Sequence, residues 1–148
     1  MMREYLFHGK RVDNGEWVEG YLGYNKVRKQ YYIMDDVDSF PIPVYKESVG
    51  QWTGIYDINQ RKIFENDIVR TQPYLDRPYS KNRQSKQFVG VVEYYTCHFK
   101  NGLHEQIYDA GWKVKVKDYG KYTHGSWSDF YKCEVIGTVF ENADLLEG

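Results

Sequence analysis

The sequence predicts a mostly-β fold, and three observations carry that expectation. The apolar set is of the kind strands use, with fourteen Val and eight Ile against six Leu and two Ala. β-Branched side chains suit a pleated, half-buried surface, whereas Ala and Leu are what helices use. Aromatic rings make up 18% of the chain and fifteen of them are Tyr, which favours strands for the same packing reason. Finally, no window places apolar residues at three- and four-residue spacing over a dozen positions without a Gly, Pro or β-branched interruption.

Taken in order, Glu4 to His8 reads as a short strand ended by Gly9. Asp13-Asn14-Gly15 is a hairpin turn, since Asn-Gly tolerates positive φ, and it leads into a longer strand from Glu16 to Tyr24. Gln30 to Met34 forms the next strand. Pro41 and Pro43 then mark a loop or an edge, because proline cannot donate to a ladder. Val49 to Tyr56 is a strand, Asp57 to Gln60 a turn, and Lys62 to Phe64 a short strand. Glu65-Asn66-Asp67 makes a tight corner before Ile68 to Arg70. Residues 71–87 hold Pro73 and Pro78, a cluster of basic residues and no apolar period, which predicts a long surface loop. Strands resume at Phe88 to Tyr95, Gly111 to Lys117 and Tyr131 to Phe140. A single helical turn is expected at Ala143 to Leu146, with Asn142 as its N-cap.

Bulk properties exclude several classes. A chain of 148 residues with 20 basic against 21 acidic groups carries no general cationic coat for nucleic acid, although a local basic patch is compatible with neutrality. At this length a single domain buries roughly 68–70% of its unfolded surface, so no disulfide or metal staple is required. No apolar run approaches the roughly 20 residues of a membrane span, and Met1-Met2-Arg3-Glu4 is not the start of a signal peptide. A cytoplasmic protein is expected, with Cys97 and Cys133 as buried free thiols.

Two blocks of sequence carry a family likeness. Val49-Gly50-Gln51-Trp52-Thr53-Gly54, then Asp57, then Lys62-Ile63-Phe64-Glu65-Asn66-Asp67-Ile68-Val69 resembles the central signature of the YopX family, proteins of bacterial phages and prophages. Cys133-Glu134-Val135-Ile136-Gly137-Thr138-Val139-Phe140-Glu141-Asn142 followed by Leu145-Leu146 is similar to the family's ending, and the opening strand from Arg3 to its beginning. Two positions depart from it. Phe7-His8 stands where an aromatic residue and a tryptophan are common, and Asn66 where a glycine is common; Asn is the non-glycine residue that best tolerates the left-handed region. The resemblance implies a mostly-β pseudo-barrel related to SH3-like and OB barrels, and no established activity. On this basis residues 65–148 would form an SH3-like barrel lobe with the 71–87 loop, and residues 1–64 an additional N-terminal β lobe packed on it, together one YopX-like unit.

The polar clusters lack the spacing that catalysis or metal binding needs. Cys97, His98, His104, His124 and Cys133 offer zinc-ligand types, but none at two-to-four-residue cysteine spacing or as paired helical histidines, so no metal and no cofactor is expected. Ser126 and Ser128 lie near His124 and Asp129 without the Gly-x-Ser-x-Gly elbow that raises a nucleophile. Asp35, Asp36 and Asp38 lack the glycine and distal glutamate of a calcium loop and read as a solvated turn. No catalytic residue is assigned, and the chain is expected not to be an enzyme.

The strongest signal is basic and aromatic. Alternation in Trp112-Lys113-Val114-Lys115-Val116-Lys117 puts Lys113, Lys115 and Lys117 on one strand face. The long loop adds Lys81, Arg83 and Lys86 with Tyr74 and Tyr79, the cation-and-ring composition that single-strand-binding barrels use. Lysines on a solvent face also simply keep a strand soluble. The function expected is therefore a phage or prophage accessory protein acting as a non-enzymatic interaction module. It would self-associate and bind a phage or host protein through surface Tyr and Trp, without a membrane. A nucleic-acid-binding small barrel is the alternative.

Overall fold

Two antiparallel sheets hold most of the regular structure in this chain, whose computed structural model describes residues 4–35, 40–71, 74–75, 81, 85–100, 102–116 and 132–147. The first sheet is built from β1 (Phe7–Lys10), β2 (Trp17–Asn25), β3 (Gln30–Met34), β4 (Pro41–Val44), β5 (Gly50–Tyr56) and β6 (Lys62–Phe64), in the order β4-β3-β2-β1-β5-β6. The expected β1–β2 turn is present, with Gly15 at φ 73°. The prolines of β4 sit on an edge strand, where a missing N–H costs no ladder bond.

This sheet curls. β4 reaches back to the end of β1 through the Arg11–Val44 bridge, with Val12 N–H donating to the Pro43 carbonyl (3.0 Å) and Tyr45 N–H to that of Lys10 (2.9 Å). The curl brings the Met34 carbonyl oxygen within 2.1 Å of where a Cβ on Gly20 would lie, so only glycine fits there.

The second sheet contains β7 (Asp67–Arg70), β10 (Val89–Lys100), β11 (Gln106–Lys115) and β12 (Glu134–Thr138), in the order β11-β10-β7-β12. Within the expected loop, β8 (Tyr74–Leu75) and β9 (Ser85–Lys86) form a minimal ladder of their own. The chain turns from the first sheet into the second at Glu65-Asn66, where Asn66 takes φ 68°. Asn66 N–H then donates to the Val92 carbonyl, and its own carbonyl accepts from Val139 N–H, both at 2.9 Å. Ile63, Val69, Val92, Trp112, Val114, Cys133 and Val135 form one core drawn from both sheets, with Ile55 and Val116 packed against it. Each such apolar side chain contributes about 1.5–3 kcal/mol on burial.

The fold is mostly β, as expected, but the second sheet does not close into the SH3-like or OB-like pseudo-barrel: β11 and β12 stand at opposite ends of its strand order. The reason lies at the outer edge of β12. That edge is occupied by the β5–β6 turn of the first sheet, whose Ile58 N–H donates to the Cys133 carbonyl (2.9 Å). Asp57, 1% exposed, does the rest: Oδ1 accepts from Asn59 and Arg61 N–H at 2.8 and 2.9 Å, and Oδ2 accepts from Val135 N–H at 2.9 Å.

The chain's end also differs from expectation. A short helix, α1 (Val139–Asn142), begins directly after β12, capped by Thr138 Oγ1 accepting from Glu141 N–H, and the turn at Ala143–Leu146 follows as a 3-10 continuation. Asn142 stands at the N-cap position of that turn as expected, but its side chain does not cap it; Oδ1 accepts instead from Thr138 N–H. Cys133 is buried and in no disulfide, as expected, whereas Cys97 is exposed on the outer part of β10, which no second layer covers among the described residues. Among the described residues no helix is long and apolar enough to cross a membrane.

Removing the Asp57 carboxylate strands three backbone N–H groups at the sheet junction. Asp57→Ala is expected to cost about 3 kcal/mol or more, and Asp57→Asn less, since one amide oxygen still accepts. Urea unfolding at neutral pH measures both, and a cost for the alanine variant below about 1 kcal/mol would contradict this role.

Candidate functional site

The basic surface expected from the sequence is only partly assembled. Lys113 and Lys115 do share the face of β11 opposite the buried Val114. Each, however, has a local partner. Lys113 Nζ lies 5.7 Å from the centroid of the Tyr95 ring, and Lys115 Nζ lies 3.9 Å from Glu93 Oε1. Glu93 stands directly opposite Lys113 in the ladder, so the face holds an acid between its cations. Tyr74 and Lys86 are cross-strand partners in the β8–β9 ladder, and Lys81 is exposed. Tyr79, Arg83 and Lys117 lie outside the described residues, as do Asp36, Asp38, His124, Ser126, Ser128 and Asp129.

The β10–β11 ribbon is longer than the sequence suggested and projects from the body. Its ladder runs from Val91–Lys115 to Lys100–Gln106, whereas β7 pairs only with Val89 to Val91. Val92 and Val114 begin a face that lies in the core. The same face continues outward through Tyr94, which packs edge-on against Trp112 at 5.1 Å, and then through Thr96 and Ala110. Farther out, His98 and Tyr108 stack at 4.4 Å with planes 4° apart, and His98 Nε2 contacts Gln106 Oε1. Tyr94 is 49% and Tyr108 75% exposed, so the core face becomes an open aromatic stripe.

A second feature, which the sequence reading missed, is a cleft of about 620 Å³ at the junction of the sheets. One wall is aromatic: His8 stacks on Phe64 at 3.9 Å and tilts against Trp17 at 4.6 Å. Facing it are β12 from Val135 to Thr138 and Glu141 of α1. The register of β12 shifts between Val135 and Gly137, which places Ile136 as an extra residue at the cleft. Ion pairs brace the surroundings, Lys62 with Glu19 at 2.8 Å and Lys10 with Glu141. The Glu19 carboxylate raises the Lys62 pKa above its ordinary value.

Two titratable groups in the cleft are buried. His8 is 9% exposed and its ring makes no hydrogen bond among the described residues; burial lowers its pKa to about 4, so the ring is neutral at physiological pH. Asp67 is 3% exposed, and burial pushes its carboxyl up to about 7, against the opposing effects of Phe64 N–H, which donates to Oδ2 at 2.8 Å, and of the Arg61 charge. Asp57 adds to the rise by like-charge repulsion. The Glu65-Asn66-Asp67 motif was legible as a corner, but nothing in it signals that the aspartate faces a cleft built from distant β12.

These shifts act on stability in opposite senses. The raised Asp67 pKa stabilises the fold most below the unfolded value of 3.8, and this is lost as pH rises through about 7. The lowered His8 pKa gives stability present above 6.5 and lost as pH falls through about 4. Each alone has a slope of about 1.4 kcal/mol per pH unit, so between about 4 and 6.5 the two offset each other. Relative to the parent protein, Asp67→Asn is expected to make stability rise more steeply with pH in that window, and His8→Phe to make it fall. Urea unfolding across the pH series reads the difference, and parallel curves for all three proteins would refute it.

A family model described as YopX protein matches residues 5–147, which include both sheets, the cleft and the ribbon. No curated protein and no solved structure matches the chain. The match spans nearly the whole sequence, from the strand that carries His8 to the turn after α1, and the chain belongs to the YopX family.

Proposed function

We propose that this YopX-family chain is a phage or prophage accessory protein that works as a non-enzymatic docking module and self-associates through the β10–β11 ribbon. The observation that supports this reading is the aromatic stripe: a face that is core at Val92 and Val114 runs on into Tyr94, Tyr108 and His98 with no second layer over it among the described residues. A two-stranded ribbon is only marginally stable alone in water, and one carrying large exposed rings gains most from covering them. Tyrosine suits this place because its ring supplies contact area while its hydroxyl tolerates water in the unbound state.

Nucleic-acid binding is the second reading, and it rests on Lys113 and Lys115 sharing one face. Glu93 between them and the near-neutral chain reduce the counterion release that would drive such binding.

Light scattering coupled to size exclusion is expected to report a concentration-dependent dimer or higher oligomer at micromolar protein, converted to monomer by Tyr108→Glu with an unchanged circular dichroism spectrum. A strict monomer throughout would defeat self-association. Fluorescence anisotropy with short labelled oligonucleotides at low salt separates the second reading: binding abolished by Lys113→Glu with Lys115→Glu would favour it over the first.

A further inference from the structure

The ribbon leaves the cleft between the sheets unused, and the cleft has the features of a built recognition site. Asp67 is 97% out of solvent by its 3% exposure, yet only its Oδ2 is engaged, by Phe64 N–H. Oδ1 has no hydrogen-bond partner among the described residues, and it is not sealed off in the interior. Oδ1 is therefore served from the cleft alone, by water or by a donor that a ligand brings. The residue that contains it lines the cleft beside the His8, Trp17 and Phe64 rings.

The chemistry of the missing donor can be narrowed. Lys62 and Lys10 are paired with Glu19 and Glu141, so an anion would meet Asp67 with only the exposed Arg61 to balance it among the described lining residues, and it is disfavoured. A metal ion would need further ligands, and among the described residues no group of three His, Cys, Asp or Glu side chains is placed to hold one. An organic cation meets neither obstacle. The neutral His8 ring does not repel it, and the one cation near the Trp17 ring, Lys10 Nζ at 5.9 Å, has its charge balanced by Glu141. Arg61, exposed on the β5–β6 turn, bears on Asp67 without offsetting its burial, and Lys62 is committed to Glu19. A planar guanidinium has the shape to pair with a carboxylate while lying against an indole face, which a compact ammonium does less well.

We infer that the cleft is a recognition site for a guanidinium group, held by Asp67 and flanked by Trp17. The group would come either from a small free guanidine or from an arginine side chain of a partner protein. Binding discharges the desolvation of Asp67 by supplying the charge its surroundings lack, so it is linked to loss of the carboxyl proton. Affinity therefore rises as pH passes upward through about 7. The charged or titratable groups around Asp67 are His8 and Lys10 on β1, Glu19 on β2, Tyr56 on β5, Asp57 and Arg61 on the β5–β6 turn, Lys62 on β6 and Glu141 on α1. Of the two with large shifts in the cleft, His8 is already neutral well below this range.

The test is titration of the full-length, isotope-labelled protein with methylguanidinium, methylammonium and acetate, followed by NMR at the Trp17 indole N–H and the Asp67 carboxyl carbon. Saturable shifts with methylguanidinium are expected, several-fold weaker with methylammonium and absent with acetate. Affinity should be several-fold higher on the alkaline side of about 7 than on the acid side. Asp67→Asn should weaken binding by roughly tenfold or more, and Trp17→Leu, a separate variant should the first fail to fold, by several-fold. A blocked arginine peptide that binds more tightly than methylguanidinium assigns the group to a protein partner, and the reverse order assigns it to a free guanidine. No saturable shift, a response to acetate equal to that of methylguanidinium, or affinity indifferent to pH and to both substitutions would overturn the inference.

Discussion

The Asp57 carboxylate is the constraint on which the arrangement of the two sheets depends. Its three backbone donors belong to two different parts of the fold: Asn59 and Arg61 in its own turn, and Val135 across the junction. The first two bonds hold the turn in the shape that lets Ile58 N–H reach the Cys133 carbonyl. The third makes the same turn an edge partner of β12. Charge-assisted bonds of this kind are roughly twice as strong as neutral ones, and here they replace water for a side chain that is 1% exposed. A sheet that would otherwise present β12 as an open edge is thereby sealed by the other sheet, which also protects it from pairing with a foreign strand.

Two consequences follow from spending the β12 edge in this way. β11 has no route to β12, so the second sheet stays open and its long strands β10 and β11 run outward as a ribbon. The junction also leaves a gap where the turn's pairing with β12 ends, and Asp67 opens onto it. Asp57 and Asp67 make an instructive contrast. Both are buried, but Asp57 is surrounded by three N–H donors whereas Asp67 has one, so burial outweighs hydrogen bonding at Asp67 and its pKa rises to about 7. The number of donors, not the depth of burial, separates the structural carboxylate from the one available for recognition.

Local structure was legible wherever backbone chemistry is written in single residues. Gln30–Met34 and Lys62–Phe64 are strands at the expected bounds, and the Asn14-Gly15 turn, the Asn66 corner and the proline-bearing edge strand are where turn and ladder rules put them. Where long-range packing decides, the sequence was silent. The outer halves of β10 and β11 are an exception, legible but missed: Tyr95-Thr96-Cys97-His98-Phe99-Lys100 alternates apolar with polar residues, which is a strand period. The Asn101-Gly102 pair that follows was a hairpin signal as well. Lys113 and Lys115 were placed correctly on one face, but the acid opposing them lies some twenty positions earlier in the chain. The cleft could not be read at all, since His8, Asp67 and Ile136 come from three distant segments. Its faintest trace was His8 itself, a small polar ring at a place where the family resemblance leads one to expect tryptophan.

That substitution bears on how the cleft and the fold coexist. An imidazole with a pKa of about 4 is, at physiological pH, an uncharged ring that can stack on Phe64 and tilt against Trp17 as an aromatic hydrocarbon would. It is also smaller than an indole, and the space against Gly50 is narrow: Nε2 lies 3.2 Å from where a Cβ there would sit. Gly50 in turn has no room for a side chain, because the Glu65 carbonyl oxygen would be 2.3 Å away, and Glu65 N–H closes the same approach by donating to Gln51 at 2.9 Å. β1, β5 and the Glu65-Asn66 corner are thus drawn together by backbone contact at a glycine, and His8 fills what remains. The cleft wall is placed by the same backbone contacts that make the corner tight. Asp67, two residues beyond Glu65, is held at the cleft by that corner, so the geometry that positions a carboxylate for a ligand is the geometry that joins the two sheets.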